Sequence, residues 1–365
     1  MKLWFLSDAH IGKYSADSDR WLNLMRNYFF EFFIPLLKEN AKPNDKFFFL
    51  GDLFDNRTSI DMRALTLAVE IFEELGKIIE CHVLLGNHDQ RMMNDPTINS
   101  VVSIRNIPNV TTYSTDCVID VDDHKILMLP WIHGKNSEKE IMTKHKNCDI
   151  LLCHSDLNGC RTQLYPTRPL NRDILDIDDF AGFERVYSGH IHIVQTIKNF
   201  TFVGSPYHLD RNDVGNRKGV WVYDTKKRKD VFIENDYSPE FIKHKILQSN
   251  DIVTLQQLLQ TNNFIDVEIS KNLFLNEPNL RLEFDKLSNK FRIENIDYID
   301  DIEVEKNVQK EQSYVKGLTI KEASEAWCDR IKINVDTELF TEIEFRHLMK
   351  GTIENCFNLL TAQKK

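Results

Sequence analysis

Phe47-Phe48-Phe49-Leu50-Gly51-Asp52-Leu53-Phe54-Asp55 sets four large apolar residues directly before a Gly-Asp step. A short, unbroken apolar run of this kind reads as a buried strand. Gly-Asp at its carboxyl end places a carboxylate where α/β sheets assemble their ligand sites. The same arrangement recurs outward in both directions. Lys2–Leu6 leads into Ser7-Asp8-Ala9-His10, and His82–Leu85 into Gly86-Asn87-His88-Asp89. Ile150–Cys153 is followed by His154, and Val186–Ser188 by Gly189-His190-Ile191-His192. Between the early strands, Asp19–Lys38 and Ala64–Leu75 carry apolar residues at helical spacing. Ile126–Leu129, Thr201–Val203, Gly219–Tyr223 and Asp230–Glu234 are further strand candidates. Strands alternating with helices, then short strands, predict an α/β sandwich of packed sheets over residues 1–235.

Beyond residue 235 the pattern changes. Phe241–Leu247, Ile252–Leu259, Phe264–Ile269 and Leu280–Phe284 suggest a small α+β module over 236–295. An acidic stretch over 296–317 reads as a solvated linker. Two helical segments are expected over 318–365, where Leu339, Ile343, Met349, Ile353 and Leu360 share an apolar stripe.

The 365 residues carry 46 Lys+Arg against 56 Asp+Glu, a net charge of −10, which excludes a polyanion binder that works by bulk charge. The acid is denser after residue 235, with a net −6, than before it, with a net −4. Four apolar residues at the N-terminus are too few for a secretory signal, and no apolar run approaches the ~20 residues of a membrane span. The seven cysteines are scattered and form no Cys-x-x-Cys, as expected of reduced thiols in the cytoplasm.

The chemistry lies in the five motifs. In Asp8-x-His10 and His190-x-His192 the period-2 spacing directs both side chains to one side of the strand end. Two Asp, one Asn and several imidazoles, with no thiolate, form a set suited to Mn, Fe or Zn. Six or seven protein ligands are too many for one ion. Two ions bridged by a carboxylate are the usual arrangement for hydrolysing phosphate esters. Taken singly, a Gly-Asp after a strand is a turn and His154 a core histidine. All five in order at strand ends point instead to a two-metal phosphoesterase.

The ordered set Asp-x-His, Gly-Asp, Gly-Asn-His-Asp, His, Gly-His-x-His resembles the signature of the calcineurin-like metallophosphoesterases. Leu6-Ser7-Asp8-Ala9-His10-Ile11-Gly12, Gly51-Asp52-Leu53-Phe54-Asp55 and Gly204-Ser205-Pro206 are similar to the SbcD-type nucleases, including a compact bacteriophage version. The resemblance implies a four-layer α/β/β/α sandwich with a capping domain beside a DNA groove. It implies that Asp8, His10 and His192 hold a first metal, that Asn87, His154 and His190 hold a second, and that Asp52 bridges them. His88 would face the scissile phosphate and assist the leaving oxygen, with Asp89 orienting it. Asp55 stands where some relatives carry histidine. Further implied are Mn2+ as the metal, DNA as the substrate, a homodimer, and an SbcC-type ABC ATPase whose coiled coil binds the C-terminal helices. A calcineurin-like phosphatase or nucleotide phosphodiesterase, and a non-catalytic scaffold of the same fold, are the alternatives.

DNA contacts are assigned to Arg57 and Arg91, just beyond two metal motifs, and to Arg161, Arg168 and Arg172. Arg211 opens a run of seven basic residues that ends at Lys229 and includes Lys218. The run reads as a phosphate-positioning face. His208, four residues after Gly204, is expected to line the site.

Overall fold

The computed structural model describes residues 1–13, 18–92, 95–162 and 170–300. Arg168, the helical region expected at 318–365 and all but the first residues of the expected linker lie outside these. The described chain divides into two compact units: residues 1–244, 253–267 and 288–295 form one, and 245–252, 268–287 and 296–300 form the other. All five motifs belong to the first.

That unit is built on two six-stranded sheets. The first runs Lys229–Glu234, Gly219–Asp224, Lys2–Leu6, Lys46–Phe49, Glu80–Leu84, Val110–Tyr113. The second runs Gln195–Ile197, Phe200–Phe202, Arg185–Ser188, Ile150–Cys153, His124–Leu129, Cys117–Val121. The central strands of each sheet pair in parallel, with Leu6 opposite Phe49 and Phe49 opposite Val83 in one, and Leu129 opposite Cys153 and Cys153 opposite Ser188 in the other. Parallel pairing brings successive carboxyl ends to a common edge.

Side-chain alternation divides each strand between two cores. Leu3, Phe5, Phe48 and Leu50 of the first sheet meet Ile126, Met128, Ile150 and Leu152 of the second. Trp4, Leu6, Phe47 and Phe49 face outward onto Met25, Phe29, Phe33, Leu67, Ile71 and Phe72 of the helices. On the far side Leu127, Leu129, Leu151 and Cys153 pack with Met142, Leu157, Leu175 and Phe180. The result is the four-layer α/β/β/α sandwich. It explains why the central strands read as continuous apolar runs: both faces are covered.

The helix Met62–Gly76 starts where the Asp61 carboxylate accepts the Arg63 N–H at 2.8 Å, an N-cap that satisfies an otherwise orphaned donor. The single helix expected at Asp19–Lys38 is instead helical over Ser18–Asn27, widened into a π-turn over Tyr28–Phe33, and helical again over Ile34–Asn40. The wider turn brings Tyr28 and Phe33 onto one face, rings parallel at 6.2 Å, so that Tyr28, Phe29 and Phe33 are all buried.

The strands Phe241–Ile246 and Phe264–Ser270 flank the helix Asp251–Leu258, and Pro278–Lys290 is also helical. In the second unit Phe274 packs edge-on against Phe284 at 5.8 Å and Tyr298 at 5.2 Å. No helix among the described residues is long and apolar enough to cross a membrane.

Candidate metal centre

Backbone pairing joins the motif loops before any side chain acts. The Asp8 N–H donates to the Gly51 carbonyl (2.9 Å), His10 N–H to Asp52 O (3.1 Å) and Gly189 N–H to Cys153 O (3.1 Å). Asp8, His10, Asp52 and His190 all hold left-handed φ, at 54°, 45°, 57° and 80°. In a non-glycine residue this conformation costs on the order of 1 kcal/mol or more and concentrates at functional sites. Two glycines permit the approach of the loops. A Cβ on Gly86 would lie 2.2 Å from Asp52 Oδ1, and one on Gly189 2.0 Å from Ser7 Oγ.

Side chains from both sheets then converge. One ligand atom from each of Asp8, His10 and His192 falls within 4.8 Å of the others, and so does one from each of Asp8, Asp52 and His154. His10 Nε2 faces His192 Nε2 at 3.2 Å. Asn87 Oδ1 lies 2.9 Å from His154 Nε2 and 3.0 Å from His190 Nδ1. Asp52 Oδ2 is 3.6 Å from His10 Nε2 and 3.4 Å from His154 Nε2, so one carboxylate faces both sets of imidazoles. In three of the four imidazoles the second nitrogen faces an oxygen from behind. His154 Nδ1 is 2.6 Å from the Leu50 carbonyl, His10 Nδ1 is 3.2 Å from Asp55 Oδ1, and His190 Nε2 is 3.6 Å from Asp156 Oδ2. Holding the rear nitrogen fixes the ring and turns its partner inward, the usual preparation of a metal-binding histidine.

The electrostatics fit the same use. Burial, with Asp52 close by, raises the pKa of Asp8. Burial also opposes ionisation of Asp52, but His154, His10 and His88 outweigh it and hold that carboxyl well below the usual range. Burial alone would depress His154, yet Asp52 and Asp8 push it up to about 9. His192 is driven well below its ordinary value by burial, then by His10 and Lys218. Two buried carboxylates drawing positive charge into a nest of oriented imidazoles and an amide are a donor set for divalent cations with N/O preference.

The profile of the calcineurin-like phosphoesterases matches residues 1–194, which contain every motif in order. The chain belongs to this family. Its members are metal-dependent phosphoester hydrolases, and divalent metal ions are therefore the cofactor of this fold. The chain is 29% identical over 240 residues to exonuclease subunit 1 of Enterobacteria phage T4, a match covering 65% of this chain and 68% of that protein. Among solved structures it is similar to an archaeal phosphodiesterase, with 13% identity over 64% of this chain and 100% of that one, TM-score 0.34. It is also similar to the cold-active protein-tyrosine phosphatase of a psychrophilic Shewanella species, with 14% identity over 61% and 75%, TM-score 0.29.

Several sequence-based assignments change. Asp89 does not touch His88. Its buried carboxylate accepts the N–H groups of Asp52 (2.8 Å), Gly86 (2.9 Å) and Leu53 (3.1 Å) and the Ser100 hydroxyl (2.8 Å), so it builds the Asp52 loop. His88 is oriented instead by the Asp55 carbonyl, 2.7 Å from its Nδ1, while its own N–H donates to Asp52 Oδ1 at 2.7 Å. Asp55 thus serves two histidines, His10 through its carboxylate and His88 through its backbone. His208 does not line the site, because its Nδ1 accepts the Phe241 N–H at 3.0 Å and its Nε2 meets the Asn216 carbonyl.

The arginines separate. Arg57 Nη2 comes within 2.9 Å of the outer end of the Asn87 amide, which places Arg57 at the rim. Arg91, Arg161 and Arg172 are exposed. Arg211 is committed to Asp266 at 2.6 Å. Trp131, not anticipated, lies 5.0 Å from the His190 ring and 6.1 Å from that of His154. It follows the strand His124–Leu129 by two residues, the same strand-end position that marked the motifs.

Proposed function

We propose that the protein is a Mn2+-dependent DNA exonuclease and endonuclease subunit that hydrolyses phosphodiester bonds at a two-metal site. The observation that carries this reading is the convergence of Asp8, His10, Asp52, Asn87, His154, His190 and His192, with one carboxylate, Asp52, facing both sets of imidazoles. Asp8, His10 and His192 would hold a first ion and Asn87, His154 and His190 a second, with the Asp52 carboxylate placed to serve both. The bound ions supply an activated water and neutralise charge on the phosphoryl oxygens.

The remaining work falls to the chain itself. His88, with Nδ1 held on the Asp55 carbonyl, presents Nε2 to the leaving oxygen and delivers its proton. Arg57, at the rim of the site, and the exposed Arg91, Arg161 and Arg172 position the DNA backbone, together with Arg168. The likeness to a phage exonuclease subunit supports a nucleic-acid substrate, here read as DNA, and an assembly with other subunits. In that assembly residues 236–295 act as the capping domain beside the DNA. Residues 318–365 dock on the coiled coil of an SbcC-type ABC ATPase, and two copies form a homodimer in the cytoplasm.

The test is incubation of linear duplex DNA with purified protein, with and without Mn2+. Mn2+-dependent degradation is expected. Activity confined to small phosphate esters would assign a phosphatase or nucleotide phosphodiesterase instead, and inactivity on both would leave a scaffold.

A further inference from the structure

In sequence Lys218 belongs to the basic run from Arg211 to Lys229, but its side chain is buried. Its ammonium donates three hydrogen bonds: to Asp213 Oδ1 (2.7 Å), to Ser205 Oγ (2.7 Å) and to the backbone carbonyl of His192 (2.9 Å). Asp213 is fully buried as well, and its other oxygen accepts the Leu209 N–H at 2.7 Å. An ion pair withdrawn from water in this way is seldom the most stabilising solution for a core, since desolvation offsets most of the attraction. Its geometry is specific, however, and what it grips is the ligand loop.

The His192 carbonyl also receives the Ser205 N–H at 3.2 Å. Ser205 Oγ donates onward to the Tyr207 carbonyl at 3.0 Å, and Tyr207 Oη donates to the Ala9 carbonyl at 2.7 Å. Ala9 is the residue between Asp8 and His10. One buried chain of hydrogen bonds, running through Ser205 and Tyr207, therefore connects the backbone of His192 with that of Ala9, the link between Asp8 and His10, whose ligand atoms cluster with His192. Among the described residues the second group meets this chain only indirectly, where the His190 N–H donates to the Asp8 carboxylate at 3.0 Å.

We infer that Lys218, paired with Asp213 and acting through Ser205 and Tyr207, is the positioning residue of the first metal group, holding His192 in register with Asp8-x-His10. It touches neither substrate nor ligand atom and works on the backbone behind them. This inference rests on the two-metal reading above. Removal of an orienting partner behind metal ligands typically weakens metal affinity by 10–100-fold.

The test is Mn2+ titration of the full chain, with free Mn2+ followed by electron paramagnetic resonance. Lys218→Met alone would leave Asp213 buried and unpaired, so Lys218→Met with Asp213→Asn removes both charges together. For a double variant that melts cooperatively, the expected result is one Mn2+ site weakened about 10–100-fold and the other altered less than about twofold. Two sites of unchanged affinity in that variant would overturn the inference while leaving the two-metal reading intact. Wild-type protein that binds no Mn2+ would overturn both. If the double variant does not fold, Ser205→Ala breaks the same chain at a neutral link, and it must weaken one site selectively. Equal weakening of both sites in either variant would mean a general loss of structure and would likewise overturn the assignment.

Discussion

Asp89→Asn separates two roles for a residue that sequence alone assigns to His88. The carboxylate accepts four donors at 2.8–3.1 Å, two on Oδ2 from Asp52 and Gly86 and two on Oδ1 from Leu53 and Ser100. Asparagine keeps one acceptor oxygen, which best serves Asp52 and Gly86. Its amide then faces Ser100, whose hydroxyl can turn to accept, and the N–H groups of Leu53 and, at 3.4 Å, Phe54, which cannot. One close and one long charge-assisted hydrogen bond are lost and two others lose charge assistance, against about 1.5–3 kcal/mol for a full-strength bond. Burial raises the Asp89 pKa, so removing the charge relieves part of that cost. The net destabilisation is about 1–3 kcal/mol, or roughly 3–10 °C in Tm for a domain of this size. Because the loop being loosened carries Asp52, Mn2+ affinity should fall about 10–100-fold. Thermal melting and Mn2+ titration check both. An Asp89→Asn protein with unchanged Tm and unchanged Mn2+ affinity but a lowered kcat would refute the scaffold role and restore the direct one to His88.

Other outcomes follow from the same geometry. His88→Ser should leave Mn2+ stoichiometry intact while cutting DNA cleavage by about 10²–10⁴-fold, measured by single-turnover hydrolysis. Gly86→Ala, whose Cβ would sit 2.2 Å from Asp52 Oδ1, should abolish Mn2+ binding in whatever folded protein is recovered, as read by titration. His82 is buried against Phe48, bonded to Tyr113, and lowered by burial to about 4 from its ordinary 6.5. As pH falls from 6.5 toward 4 the unfolded chain takes up the proton first. The stability this histidine contributes in neutral form is therefore complete above 6.5 and lost on acidification, by about 2 kcal/mol between pH 7 and 5. Urea unfolding at both pH values should show this drop in the wild type and a smaller one in His82→Gln.

The central strands and the five motifs were legible because their signals are local. An apolar run covered on both faces, closed by Gly, Asp or His, needs no tertiary information. The π-turn at Tyr28–Phe33 was not legible, since helical periodicity tolerates one extra residue without losing its apolar face. Asp89 was misplaced because its donors, Asp52 and Leu53, lie more than thirty positions away and are backbone groups that leave no trace in composition. Lys218 was hidden by its neighbours. Amid Arg217, Lys226, Lys227, Arg228 and Lys229 it reads as one more surface charge, and only the fold brings His192, Ser205 and Asp213 around its ammonium. Trp131 stood at a strand end like the ligands, but an aromatic there carries no ligand chemistry to single it out.

The central claim is that one buried cluster holds two divalent ions, and anomalous diffraction from Mn2+-soaked crystals at the manganese edge tests it most directly. Two peaks ~3.5–4 Å apart are expected. One should lie among Asp8, His10 and His192, the other among Asn87, His154 and His190, with the Asp52 carboxylate between them. A single peak, or two peaks that do not share Asp52, would contradict it.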